Sequence, residues 1–207
     1  MGNIYNNLGK KCGDYMQKQY ELAIDAKNKL NENFHKWMSF YYVANSAILL
    51  SVVGIANQQA NMCCEVSFAL AVIGVVISIF WKLSCKGHLY WSQNWIEVIF
   101  RLEEQLFKDN DQFKIYSIFS KKVHSEKRDF NVSTPKLTLY FSYIVHFSWV
   151  IYSIFPLWII LRRYFNSYCL VLRCIIIFIY IVIAFWGHSL FRNNLKSRTD
   201  GSHTLFE

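Results

Sequence analysis

The stretch LTLYFSYIVHFSWVIYSIFPLWIIL, from Leu137 to Leu161, runs for 25 residues without an Asp, Glu, Lys or Arg. A hydrocarbon core of about 30 Å is crossed by roughly 20 apolar residues in helical form, so this stretch is long enough by itself. Three further blocks repeat the pattern: Trp37–Ala56, Val66–Trp81 and Cys174–Phe191. The two shorter ones reach full length through Lys82 and Arg173, whose aliphatic stems lie in hydrocarbon while the charges reach the headgroups. With 54% hydrophobic residues and only two prolines, a soluble bundle of buried helices is the weaker reading. The expected fold is all-α: a polytopic membrane protein with four transmembrane helices, an N-terminal cytoplasmic helix and a cytoplasmic helical extension of the second span.

Charge divides the 207 residues into segments. Residues 1–36 read as a cytoplasmic amphipathic helix, 37–86 as a first transmembrane hairpin, and 87–136 as a cytoplasmic helix with a basic loop. Residues 137–191 form a second transmembrane pair and 192–207 a cytoplasmic tail. The N-terminal segment carries six Lys and Arg and Lys82–Lys136 carries ten, whereas Asn57–Glu65 carries none. The positive-inside rule then places the N-terminus in the cytoplasm and Asn57–Glu65 outside. Arg162, Arg163 and Arg173 run against this scheme, because they flank a connection that it also places outside. The net charge of +8 is read as topology and headgroup contact, and direct nucleic-acid binding is not expected. A strongly charged segment precedes Trp37, which argues against a cleavable signal peptide. Asn6 stands where a myristoylation motif needs Ser or Thr. Heavy use of Ile, Asn, Lys, Tyr and Phe suggests a bacterial source, hence a multi-pass protein of the inner membrane.

Several stripes organise the helices. Asp14, with Gln17 three residues on, reads as a helix cap, followed by an apolar stripe of Met16, Tyr20, Ala23, Leu30, Phe34 and Trp37 suited to a neighbouring helix or subunit. The second span continues as a helix to Phe107, through Gly87 as a candidate kink, with Trp91, Trp95, Val98, Leu102 and Leu106 as its apolar seam. Glu97–Arg101 and Glu104–Lys108 are i,i+4 pairs on its other side. Asp109-Asn110-Asp111 breaks that helix, and Ser133-Thr134-Pro135 opens the third span. Ser67, Ala71, Gly74 and Ser78 share one face of the second span, where small side chains let helices approach closely, within the chain or between subunits of a homo-oligomer. Thr138, Ser142, His146, Trp149 and Ser153 make one face of the third span polar, and Asn45 sits in the middle of the first. Such residues line a pore or a polar interface, or are bonded to a hydroxyl of an adjacent helix.

Catalytic chemistry has little support. GxSxG, HExxH, phosphate loops and paired intramembrane carboxylates are all missing, so no enzyme, catalytic residue or cofactor is expected. The six cysteines form no CxxC and do not cluster with histidine at zinc spacing, so no metal is expected either. Cys63 or Cys64 could bridge to Cys169 in an oxidising compartment. Arg198 and His203 match a short R-x4-H ribonuclease spacing in a Gly-Ser tail, and His124 and Arg128 lie in a basic segment better read as headgroup contact.

The first half carries a resemblance. A charged helix with Tyr20 and Ala23 leads through Asn33-Phe-His-Lys-Trp37 into a span containing Tyr41-Tyr42. A short polar turn and a second span lead to Tyr90-Trp91-Ser-Gln-Asn-Trp95 and on to Leu102-Glu103-Glu104. This layout, over residues 14–107, resembles two-span effector domains of bacterial nucleotide-signalling defence. It is also similar to the small membrane accessory proteins of type VI-B CRISPR loci, which act beside an RNA-guided RNA nuclease. The resemblance implies an antiviral membrane effector that assembles as a homo-oligomer and perturbs the membrane or modulates the nuclease. The rival readings are a small transporter or channel subunit, for which Pro156 is the only helix-breaking feature at midplane, and a membrane-tethered ribonuclease resting on Arg198 and His203.

Overall fold

The computed structural model describes residues 2–56, 63–108, 113–116, 133–165 and 170–194, with side chains from residue 13 to residue 186. Four helices follow in chain order: α1 Gly2–Ala56, α2 Cys63–Leu106, α3 Thr134–Tyr164 and α4 Leu170–Asn194. No strand occurs among the described residues. Within them α1, α2 and α3 are long and apolar enough to cross a membrane, and α4 adds a shorter apolar stretch, Leu170–Trp186. The chain is therefore an all-α, multi-pass membrane protein.

The boundaries follow from local chemistry. Pro135 stands in the first turn of α3, where its missing N–H is not needed, and the helix opens with Leu137 N–H donating to the Ser133 carbonyl at 2.9 Å. α2 passes through Gly87 as helix and ends as Phe107 N–H closes onto the Glu103 carbonyl at 2.9 Å. One expectation is corrected here. Asp14 caps nothing, because α1 already runs from Gly2, and Gln17 instead donates to Glu21 at 3.2 Å. Gly9 and Gly13 do not end the helix, since a glycine inside a helix costs only about 1 kcal/mol relative to alanine. The Asp109-Asn110-Asp111 break, the bridge to Cys169, His124 and Arg128, and Arg198 and His203 lie outside the described residues.

The chain forms two compact units: Met1–Tyr42 with Ser84–Phe141, and Val43–Leu83 with Ser142–Glu207. In the first, α1 and α2 run antiparallel, and each step forward on α1 is met by a step back on α2. Tyr20 meets Glu103, Phe34 stacks on His88 with ring centroids 4.0 Å apart, Met38 meets Cys85, and Tyr41 meets Ser84. The N-terminal apolar stripe is thus taken by the chain's own α2. Trp37 leaves that stripe and is exposed, because the helical period continues the buried face through Met38 and Tyr41. The face that α2 buries here is also not its apolar seam but the row Cys85, His88, Ile99 and Glu103.

In the second unit α2 and α3 are antiparallel, as are α3 and α4, shown by Ser78 beside His146 and Ser153 beside Tyr180. Its core is Ile48, Val52, Ala71, Val75, Ile79, Trp149, Val150 and Ala184. Two of the three arginines that strained the topology have partners in this arrangement, and Arg162 is exposed. Arg163 pairs with Glu65 at 2.8 Å, which offsets one of the three charges. Arg173 is buried, donates to the Phe165 carbonyl at 2.5 Å, and lies over the Trp158 ring at 5.9 Å. A plain α3–α4 hairpin is compatible with these contacts.

Candidate functional site

Two polar constellations stand out, one in each unit. Among the described residues of the membrane-spanning unit, three of the hydrogen bonds that tie helices together share one design. Ser78 Oγ lies 2.7 Å from the Val75 carbonyl and 2.8 Å from His146 Nδ1. A serine has one proton, so with that proton on the carbonyl the Nδ1–H of His146 is the donor to Ser78 Oγ. Ser153 repeats this: its Oγ lies 2.6 Å from the Val150 carbonyl and 2.7 Å from Tyr180 Oη, making the phenol the donor. The third bond runs from Trp149 Nε1 to Asn45 Oδ1 at 2.8 Å. In each case a ring N–H or O–H reaches across to a small acceptor. Each serine also spends its own proton within its helix, so its oxygen is left to accept from the neighbouring one. Hydrocarbon supplies no alternative partner, which is why these groups find one another.

Geometry gives the small-residue face its role. Ser67, Ala71, Gly74 and Ser78 are all buried inside this unit. A Cβ built on Gly74 would stand 2.5 Å from Trp149 Cδ2 and 2.7 Å from its Cε2, so the indole of α3 lies directly against the α2 backbone. Of the two settings open to this stripe, the packing seen here is within the chain. Ser142, His146 and Ser153 are likewise interior, and Thr138, in the other unit, donates to the Thr134 carbonyl at 2.9 Å. Asn45, His146, Trp149 and Ser153 therefore act together as a helix–helix interface within one subunit.

The other constellation lies on the helical parts beyond the apolar blocks. Glu103 is fully buried, and its Oε1 accepts from Tyr20 Oη at 2.9 Å and from the Tyr116 backbone N–H at 3.0 Å. Lys27 donates to Tyr116 Oη at 3.1 Å and stands 4.4 Å from the centre of that ring. Phe107 packs edge-on against Tyr20 and also meets Phe113. Burial, the hydrogen bond to Glu103 and the negative charge of that carboxylate all raise the Tyr20 phenol far above its ordinary value. Further along, burial and then the neighbouring His35 hold His88 below the usual imidazole range, so it is neutral at physiological pH. This cluster fastens residues 113–116 against α1 and α2.

Glu103, Tyr116, Lys27, His88 and Tyr180 escape a reading of the sequence alone. A signal for Glu103 existed: it stands four residues beyond Ile99 on the face of Cys85 and His88, while Glu104 points outward with Glu97 and Arg101. No group of three or more His, Cys, Asp or Glu able to hold a metal occurs among the described residues.

An all-α chain whose long apolar helices are cross-tied by neutral hydrogen bonds is a multi-pass membrane protein. The model of the octameric membrane protein family (8xMP) matches residues 17–158, and the chain belongs to that family. It is a membrane protein of an oligomeric family. No curated protein and no solved structure matches it.

Proposed function

We propose that this protein is a bacterial inner-membrane accessory effector of antiphage defence of the type VI-B CRISPR kind. It modulates RNA-targeting immunity as an oligomeric pore, with its N-terminus in the cytoplasm and no hydrolytic chemistry of its own. The observation that carries the reading is membership of an octameric membrane family over residues 17–158, which overlaps the segment with the defence-type layout, residues 14–107. A supporting argument comes from the buried polar groups. Glu103, Tyr20, His146, Ser78, Ser153 and Tyr180 are engaged in bonds that hold helices, and groups so engaged suit a scaffold better than a reaction centre. Because the polar face of α3 is interior to one subunit, the pore of this proposal runs between subunits and not along His146.

The test is phage plaquing in cells carrying the nuclease and a matching guide, with and without this protein, while membrane potential and entry of an impermeant dye are followed during infection. The expected result is altered plaquing together with depolarisation that depends on this protein. Equal plaquing in both backgrounds rejects the defence role. Altered plaquing over an undisturbed membrane keeps the defence role and rejects the pore.

A further inference from the structure

Between α1 and α2 lies a cluster of soft donor atoms outside both polar constellations. Met38 Sδ and Cys85 Sγ face each other at 3.8 Å across the two helices, and both side chains are buried, Cys85 completely. One turn further along α2 comes His88, 7% exposed, whose Nδ1 is buried without a hydrogen-bond partner. Its ring is fixed by stacking on Phe34, which precedes Met38 by one turn of α1. Helical side chains lean toward the N-terminus, over the turn three to four residues back, which sets the imidazole over Cys85. Cβ atoms three residues apart on a helix are about 5–6 Å from each other, so a thiol and an imidazole nitrogen there can share one ion. Packing alone accounts for two sulfurs in contact. It does not account for the orphaned nitrogen, since buried polar atoms normally find a partner.

We propose that Met38, Cys85 and His88 form a binding site for a soft monovalent metal ion, copper(I). With methionine counted as a ligand, the Cys85–His88 pair gains its third donor from the facing helix. Two metal–sulfur bonds of about 2.3 Å, opened to about 110°, span about 3.8 Å, the separation that these sulfurs already have. Charge and softness select the ion. Cys85 ligates as the thiolate, and its proton goes to solvent, so copper(I) replaces one positive charge by another and leaves the buried site neutral. No oxidation or reduction takes place. A zinc ion would leave a net positive charge in the same burial, which is costly away from water. A thioether donor also favours copper(I) over harder ions.

The test is an anaerobic titration of the reduced full chain in nanodiscs with copper(I), in competition with the chelator bicinchoninate. The chain should hold about one ion, and bound copper should protect Cys85 from alkylation by a maleimide, read by mass spectrometry. X-ray absorption at the copper edge should show two sulfur neighbours and one nitrogen. Both readouts use the wild-type chain and so stand whether or not a variant folds. Met38→Leu and His88→Phe should each weaken retention by roughly tenfold or more, the size that even an outer-shell partner commands. Copper surrendered wholly to the chelator overturns the proposal, as does a shell of sulfur alone. Retention that survives Cys85→Ser but is lost in Cys63→Ser or Cys64→Ser also overturns it, by placing the ion at that adjacent pair.

Discussion

The two units of this protein solve the same task, holding helices together, with opposite chemistry. Where α1 and α2 extend past the apolar blocks, the central acceptor is a carboxylate, Glu103, with Tyr20, Tyr116 and Lys27 around it. Within the blocks the acceptors are Ser78, Ser153 and Asn45, all neutral, and the donors are rings. The difference follows from solvent. A buried carboxylate outside the hydrocarbon is sustained by its two hydrogen-bond donors, whereas the same charge at mid-bilayer is expensive and offers nothing that a hydroxyl cannot. Close approach replaces charge there, as Gly74 under Trp149 shows.

The largest effect is expected from Gly74→Leu. The indole blocks even a Cβ and is held by Asn45, so the branched side chain should cost about 3 kcal/mol. Hydrogen exchange should lose protection across residues 63–83 and 142–161, and the thermal midpoint in nanodiscs should fall. Because this packing is internal, the loss should appear at the level of the single subunit. Glu103→Ala comes next, at about 1–3 kcal/mol, because it leaves a part-buried phenol and a part-buried backbone N–H without their acceptor. Its exchange signature should be confined to residues 14–34 and 96–106, and Glu103→Gln, which keeps an acceptor, should lose less than half as much. Equal spreading of both variants over the whole chain would erase the contrast between the units.

Asn45→Ala should be milder, about 0.6–1.7 kcal/mol, as single interhelical bonds in membranes are. The smallest effect is a pH dependence. His88 has its folded pKa lowered, so the unfolded chain binds the extra proton first. Its contribution is fully present above about pH 6.5 and is lost as pH falls through the folded value. His88→Phe should flatten stability between pH 7 and pH 5, read by thermal unfolding. An unchanged slope would assign the acid sensitivity to another group.

Much of the fold was legible because hydrocarbon forces long uncharged runs, and Leu137–Leu161 can be little else. The polar and small stripes were legible for the same reason, since Asn45, Gly74 and His146 stand out in apolar surroundings. What each stripe faces was not, because that depends on register between distant helices. Trp37 and Met38 differ by one residue and by most of a helix face, and only the pairing of Met38 with Cys85 decides between them. For the same reason the apolar seam Trp91–Leu106 does not show which face of α2 is buried, and Glu103 beside it does not stand out. In α2 outside the bilayer, apolar and polar faces are nearly equal in width, so composition does not say which one α1 takes.

The proposed function requires that copies of this chain form a conducting assembly in the bilayer. Its most direct measurement is ion flux from sealed proteoliposomes holding purified protein, with the oligomer size fixed by mass photometry on the same sample. The proposal predicts flux that follows the oligomer and is absent when the protein is reconstituted as separated single subunits. Sealed vesicles around an intact, correctly inserted oligomer would contradict it.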